Sequence, residues 1–118
     1  INAPMSLVPL SGNRLLAVYH RGLDDRDRPP LEIWQSISED GGQTWLPETK
    51  VYDYPAGNPC EPWVVRSPDG KQLAMLSREN ARHYNSLLVT SNDEAKTWSK
   101  PVELPAALTG DRHHGVYH

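Results

Sequence analysis

The sequence predicts an all-β protein built from two copies of a four-stranded unit. The 118 residues include 8 glycines and 11 prolines, and chain breakers at this density favour many short elements joined by turns over long helices. One octapeptide pattern occurs twice, beginning at Ser38 and at Ser91, with Ser, Asp, Thr and Trp at the same four positions. Short apolar or alternating runs surround each copy in the same order, so the repeat extends well beyond the octapeptide.

The first unit spans residues 1–54 and contains four strand candidates. Two apolar runs flank a turn that contains Gly12. A third run alternates, which places Ile33 and Ile37 on one face of a strand, and a fourth follows the octapeptide. The four candidates are residues 5–10, 14–20, 31–37 and 50–53.

The second unit spans residues 55–105 and repeats this order. Residues 106–118 contain the beginning of a third unit. Four strands in a repeat of about 50 residues are typical of a β-propeller blade. We therefore expect two blades, the start of another, and a longer chain around them. The second set of strand candidates is residues 61–66, 72–78, 86–91 and 102–104.

Composition and charge exclude several classes of function. The formal net charge is -3, whereas a nucleic-acid-binding domain normally has a basic excess. No apolar run approaches the ~18 residues of a membrane span. The single cysteine, Cys60, rules out an internal disulfide and is expected to be a small buried hydrophobe.

The octapeptide has the composition of a tight turn. Asp40 and Asp93 are placed to accept hydrogen bonds from turn N–H groups, and Gly42 allows a positive φ. Ala95 replaces that glycine in the second copy, so its turn is either strained or differently shaped. We expect Thr and Trp at the end of each copy to hold the turn on its own blade. The acidic ligand set of a calcium loop is absent from the octapeptides.

The pattern Ser-x-Asp-x-Gly-x-Thr-Trp resembles the Asp box, or BNR repeat, of the sialidase (neuraminidase) superfamily. Residues 38–45 match it fully and residues 91–98 match except at Ala95. The resemblance implies a six-bladed β-propeller whose Asp boxes are structural and lie away from the active site. The structural residues implied here are Ser38, Asp40, Gly42, Thr44, Trp45, Ser91, Asp93, Thr97 and Trp98.

The resemblance also implies hydrolysis of a terminal acidic sugar, with sialic acid the leading candidate, and no cofactor. Such enzymes use an Asp between the second and third strands of the first blade as general acid and base. Here that window favours Asp25, followed by Asp24. Asn2 stands where the family has the first arginine of its triad, unless that arginine precedes Ile1. In the family, the nucleophilic Tyr comes from later blades.

Substrate-binding residues are expected in the loops at the opposite edge from the octapeptides. An arginine cluster there would hold the sugar carboxylate through charge-assisted hydrogen bonds. No metal site is expected, because the histidines near residue 113 lack partners at ligand spacing. The substrate-binding candidates are Arg21, Glu61, Arg78, Arg112 and His113.

Two other functions remain open on sequence. One is a non-catalytic, carbohydrate-binding Asp-box propeller. The other is a propeller lyase or hydrolase acting on uronic acids, which Arg112 and His113 would suit. In each case two blades leave sheet faces uncovered, so we expect partners in the form of further blades of the same chain or self-association.

Overall fold

The computed structural model describes residues 6–22, 31–53, 59–79 and 86–105. Within them the chain forms two four-stranded antiparallel sheets in which neighbouring strands follow each other along the sequence. No helix in this part of the chain is long and apolar enough to cross a membrane. The strands are β1 (Ser6–Pro9), β2 (Leu15–Arg21), β3 (Glu32–Ser38), β4 (Thr49–Asp53), β5 (Pro59–Arg66), β6 (Leu73–Glu79), β7 (Leu87–Ser91) and β8 (Val102–Glu103).

The predicted all-β class and the two four-stranded units are confirmed. Each predicted strand is present, and its bounds lie within two residues of those expected from the sequence. The predicted beginning of a third unit, residues 106–118, lies outside the described residues.

The core lies between the two sheets, which pack face to face. Strand β2 alternates so that Leu16 and Val18 point into this interface, where both side chains are fully buried. Met75 of β6 and Val89 of β7 belong to the same cluster and are also fully buried. Burial of each such side chain contributes about 1.5–3 kcal/mol. The other members of the cluster are Val8, Leu10, Ile33, Tyr52, Val64, Leu73, Leu87 and Ala95.

The first octapeptide forms a closed hydrogen-bond network in the turn between β3 and β4. The hydroxyl of Ser38 donates to Oδ1 of Asp40 (2.8 Å) and accepts the N–H of Gly42 (2.8 Å). Asp40 accepts the N–H of Thr44 at Oδ1 (2.8 Å) and its hydroxyl at Oδ2 (2.5 Å). The turn is therefore held by side chains of the octapeptide itself.

The second octapeptide repeats this network between β7 and β8. Ser91 donates to Oδ1 of Asp93 (2.8 Å) and accepts the N–H of Ala95 (3.0 Å). Asp93 accepts both the N–H (2.9 Å) and the hydroxyl (2.5 Å) of Thr97. The two turns thus have the same shape, and the replacement of glycine by Ala95 has not changed it.

The second turn is strained because it uses residues with side chains at left-handed positions. The first turn places Gly41 and Gly42 at φ of 74° and 98°. The second places Glu94 and Ala95 at φ of 57° and 70°, where an L-residue pays roughly 1–2 kcal/mol. The methyl group of Ala95 is fully buried in the core, which offsets part of this cost.

The prediction that the tryptophan of each octapeptide holds the turn on its own blade is wrong for Trp98, which bonds to the other sheet. Its indole N–H donates to Oε1 of Gln35 in β3 of the first sheet (2.8 Å). Nε2 of Gln35 in turn donates to the carbonyl oxygen of Ala95 (2.9 Å), and Gln35 is 7% exposed. The second octapeptide therefore joins the two sheets.

Glu94 adds a second link at the same edge. Its Oε1 accepts the N–H of Ser11 in the first unit (3.1 Å), and its carboxylate pairs with Arg66 of β5 (2.7 Å). Arg66 also donates to the carbonyl oxygen of Pro9 (2.9 Å). These bonds from the Arg66 guanidinium hold the pKa of Glu94 below its usual range.

The octapeptide aspartates make stability depend on acid pH. Hydrogen bonds from Thr44 and Ser38 lower the pKa of Asp40 to about 2, and those from Thr97 and Ser91 lower the pKa of Asp93 to about 2. An unfolded aspartate titrates near ~3.9. The stabilisation is therefore complete above about pH 4 and is lost as the pH falls towards about 2.

Replacement of Asp40 by alanine should lower the melting temperature of the full-length protein at pH 7 by several degrees, because turn N–H groups lose their acceptor. It should also reduce the fall in the free energy of unfolding as the pH is lowered from about 4 to about 2. Urea unfolding from pH 2 to 7 measures both effects. Glu39→Ala, in the same exposed turn, is the matched control and should change neither. If the free energy of unfolding of Asp40→Ala fell at acid pH as much as that of the wild type, Asp40 would not be the source of the pH dependence.

Candidate functional site

One edge of the paired sheets brings together the end of β2, the start of β5 and the end of β6. Arg78 lies opposite Cys60 in the β5–β6 register, and His20 of β2 bonds to Glu61 of β5. The octapeptides follow β3 and β7 and lie at the other edge, because successive antiparallel strands reverse direction. We name the first edge the loop edge, defined by His20, Glu61 and Arg78.

Glu61 contacts both sheets at the loop edge. Its N–H donates to Nδ1 of His20 (N···N 3.0 Å), and His20 is 5% exposed. Its Oε1 lies 3.5 Å from Nη1 of Arg78, in an ion pair whose side chains are each 21% exposed. A backbone N–H can only donate, so Nδ1 of His20 is the acceptor of this hydrogen bond.

The backbone of Glu61 is strained. Its φ is +49°, a left-handed value that costs a residue with a side chain roughly 1–2 kcal/mol. Pro62 follows, and a proline normally pushes the preceding residue into the extended region. The strand register shifts between Cys60 and Trp63, which marks a β-bulge. Bulges re-aim side chains, and this one turns the Glu61 carboxylate towards Arg78.

Tyr52 and Ser77 bring buried hydroxyl groups close to Cys60, at the start of β5. Burial raises the pKa of Tyr52, and the neighbouring Ser77 hydroxyl offsets this only in part. Among the described residues, neither hydroxyl has a hydrogen bond of standard geometry. Cys60 and Glu79 are each 4% exposed, so the expected burial of Cys60 is confirmed.

Arg21, another predicted substrate-binding residue, contacts Glu48 and Trp34. Its Nη1 lies 2.6 Å from Oε1 of Glu48, and its guanidinium stacks 4.7 Å from the ring centroid of Trp34. Tyr19 donates to the same carboxylate, and burial together with this bond raises the pKa of Tyr19. Strand alternation puts Arg21 on the opposite face of β2 from His20. The structure therefore pairs Arg21 with Glu48, away from the Glu61–Arg78 ion pair.

Of the predicted substrate-binding residues, the structure brings Glu61 and Arg78 together. Four other predicted residues lie outside the described part of the chain: Asp24, Asp25, Arg112 and His113. Asp24 and Asp25 belong to the stretch 23–30, which follows β2 and precedes β3 in the sequence.

Sequence reasoning missed His20, although a signal for it exists. Leu16 and Val18 alternate into the core, and His20 is the next residue of that face. A polar side chain at a buried register position needs a hydrogen-bond partner. The position of His20 thus predicts a polar contact, but the identity of the partner depends on the fold.

The loop edge presents two charged groups of opposite sign, each partly exposed. Arg78 supplies a partly exposed guanidinium that suits a carboxylate, and Glu61 supplies an acceptor for hydroxyl groups. In the residues that the structure describes, no group of three or more His, Cys, Asp or Glu side chains is placed to hold a metal ion.

The fold is similar to that of sialidases of known structure. A microbial sialidase, Hadza microbial sialidase Hz136, matches 83% of this chain with a TM-score of 0.63 and 18% identity. A leech intramolecular trans-sialidase, complexed with 2,7-anhydro-Neu5Ac after soaking with 3'-sialyllactose, matches 77% with a TM-score of 0.54 and 24% identity. This chain spans 25% and 12% of the lengths of those two chains.

These similarities confirm the predicted fold: the two sheets correspond to blades of a sialidase β-propeller. No protein-family model matches the chain. No curated protein matches it at a significant level either.

Because φ of Glu61 is positive, glycine should be more stable than alanine at this position, which is the reverse of the usual order in a strand. Both Glu61→Ala and Glu61→Gly remove the carboxylate, but only alanine keeps a Cβ atom, which the left-handed φ disfavours. Glu61→Gly should therefore be more stable than Glu61→Ala by about 1 kcal/mol.

Lys50, an exposed residue of β4, provides the matched control. In an ordinary strand the order reverses, and Lys50→Gly should be less stable than Lys50→Ala by about 0.5–1 kcal/mol. Urea unfolding of the four variants in the full-length protein measures both differences. The same order at both positions would contradict the strain at Glu61.

Proposed function

We propose that the full-length protein is a sialidase-like glycoside hydrolase that removes a terminal acidic sugar, with sialic acid as the leading substrate. The observation that supports this most directly is the pairing of Arg78 with Glu61 at the loop edge of a sialidase-type fold. The octapeptides occupy the other edge and are engaged in their own turns and in contacts between the sheets.

Arg78 is the proposed anchor for the sugar carboxylate. A guanidinium can form two parallel hydrogen bonds to a carboxylate. The ion pair with Glu61 limits the rotamers that Arg78 can adopt, which lowers the entropy cost of ligand binding. Glu61 itself accepts hydrogen bonds from sugar hydroxyls. The side chains are partly exposed, so the ion pair is accessible to a ligand.

We propose that the catalytic residues lie in segments that connect the strands next to this edge. We propose Asp25 as the general acid and base, with Asp24 as the second candidate, because their segment joins β2 to β3. Arg112 and His113 are proposed as further substrate-binding residues. The nucleophile is expected from another blade, as the resemblance to sialidases implies.

The proposed partners in assembly are further blades, from the same chain or from other copies. Trp98 of the second octapeptide packs on the first sheet, where Gln35 accepts its indole N–H. Trp45, at the equivalent position of the first octapeptide, is 42% exposed, and the adjacent Leu46 is 48% exposed. The repeat thus implies a preceding sheet that covers Trp45 as the first sheet covers Trp98.

Asp25→Asn should lower turnover of 3'-sialyllactose by the full-length protein roughly 10²–10⁴-fold, because the leaving sugar then departs without a proton. Aryl sialosides with acidic leaving groups should lose much less, since they need little protonation. Steady-state kinetics on both substrates measure the difference. Glu39→Ala, at the octapeptide edge, is the control and should match the wild type.

Equal losses on both substrates would exclude Asp25 as the acid, and Asp24→Asn would be measured next. Binding of 3'-sialyllactose without hydrolysis would favour a carbohydrate-binding propeller over an enzyme. Release of an unsaturated product from a uronic-acid oligosaccharide would favour a lyase. Either result would contradict the proposed sialidase activity.

A further inference from the structure

We propose that His20 is a positioning residue that fixes the Glu61 bulge, and through it the Glu61–Arg78 ion pair. The proposal deepens the proposed function, because it concerns the same loop edge. His20 is buried in the first sheet, whereas Glu61 and Arg78 belong to the second. One hydrogen bond therefore couples the binding edge of one sheet to the interior of the other.

The Glu61 conformation needs outside support. Its positive φ and the proline that follows both disfavour it. Strained backbone of this kind persists only where the surroundings determine it. The acceptor at Nδ1 of His20 supplies such a constraint, because it satisfies the Glu61 N–H in the strained geometry, at 3.0 Å.

The hydrogen bond also constrains the histidine. His20 is the last inward-facing residue of β2, and its neighbour in the register is Ile33, which is fully buried. Packing between Ile33 and the second sheet limits the rotamers of the ring. The ring is thus a rigid acceptor, and the peptide that bonds to it is held at a defined place relative to the first sheet.

The consequence concerns the direction of the carboxylate. If Glu61 relaxed to an extended φ, strand alternation would turn its side chain and separate it from Arg78. His20 does not need to touch a ligand to affect binding. It acts by keeping Glu61 in the conformation that pairs with Arg78.

The test compares three variants of the full-length protein. His20→Asn places an amide oxygen at the position of Nδ1, one bond beyond Cγ, and so keeps the acceptor. His20→Gln keeps an amide of similar size but moves the oxygen one bond further from the backbone. His20→Leu keeps the apolar bulk and removes the acceptor.

Hydrogen exchange of the Glu61 amide is the first readout, and it does not depend on any substrate. We expect exchange to become roughly 10-fold faster in His20→Gln and His20→Leu, and to stay near the wild-type rate in His20→Asn. Unchanged protection in His20→Gln, or equal loss of protection in His20→Asn and His20→Gln, would overturn the positioning role. The Asn–Gln comparison decides the matter even if His20→Leu does not fold.

The second readout is kcat/KM for 3'-sialyllactose. His20→Gln should lower it roughly 10-fold, the equivalent of one hydrogen bond, and His20→Asn should restore most of the loss. In a Glu61→Gly background, His20→Gln should have little further effect. Additive losses would overturn the proposal. A wild-type protein inactive on sialosides would refute the proposed function alone, because the exchange measurement would still decide the role of His20.

Discussion

The packing of one sheet against the other determines the geometry of both edges of the molecule. Its centre is apolar and fully buried around Leu16 and Met75, and hydrophobic burial there is strong but not directional. The alignment of one sheet on the other is set by polar hydrogen bonds at the two edges. Gln35 joins the sheets at the octapeptide edge, and the bond from Glu61 to His20 joins them at the loop edge. The loop edge keeps its geometry only while the sheets keep this alignment.

Backbone strain occurs at both edges, but its structural consequence differs between them. At the octapeptide edge, Glu94 and Ala95 adopt left-handed φ values. Glu94 accepts the N–H of Ser11 in the first unit and Ala95 is buried in the shared core, and these contacts offset the cost. At the loop edge, Glu61 is strained beside a partly exposed ion pair with Arg78. The first case gives cohesion between the sheets, and the second gives direction to a charged side chain.

Local pattern predicted the strands and the octapeptide turns, because alternation, turn residues and the Ser–Asp–Thr network act within a few residues. The contacts between the sheets could not be predicted in the same way. Gln35 and Trp98 are 63 residues apart, and no periodicity links them. Nor does any local signal give a glutamate before proline a positive φ. The Glu61–Arg78 pair could be predicted as charged residues at one edge, but its geometry depends on the bulge and on His20.

We propose that the loop edge, and not the octapeptide edge, binds an acidic sugar. A crystal structure of the full-length protein soaked with 3'-sialyllactose tests it most directly. We expect the sugar carboxylate to lie within hydrogen-bond distance of the Arg78 guanidinium, with Glu61 still at positive φ and bonded to His20. A sugar bound only beside Asp40 or Asp93, with the loop edge unoccupied, would contradict it.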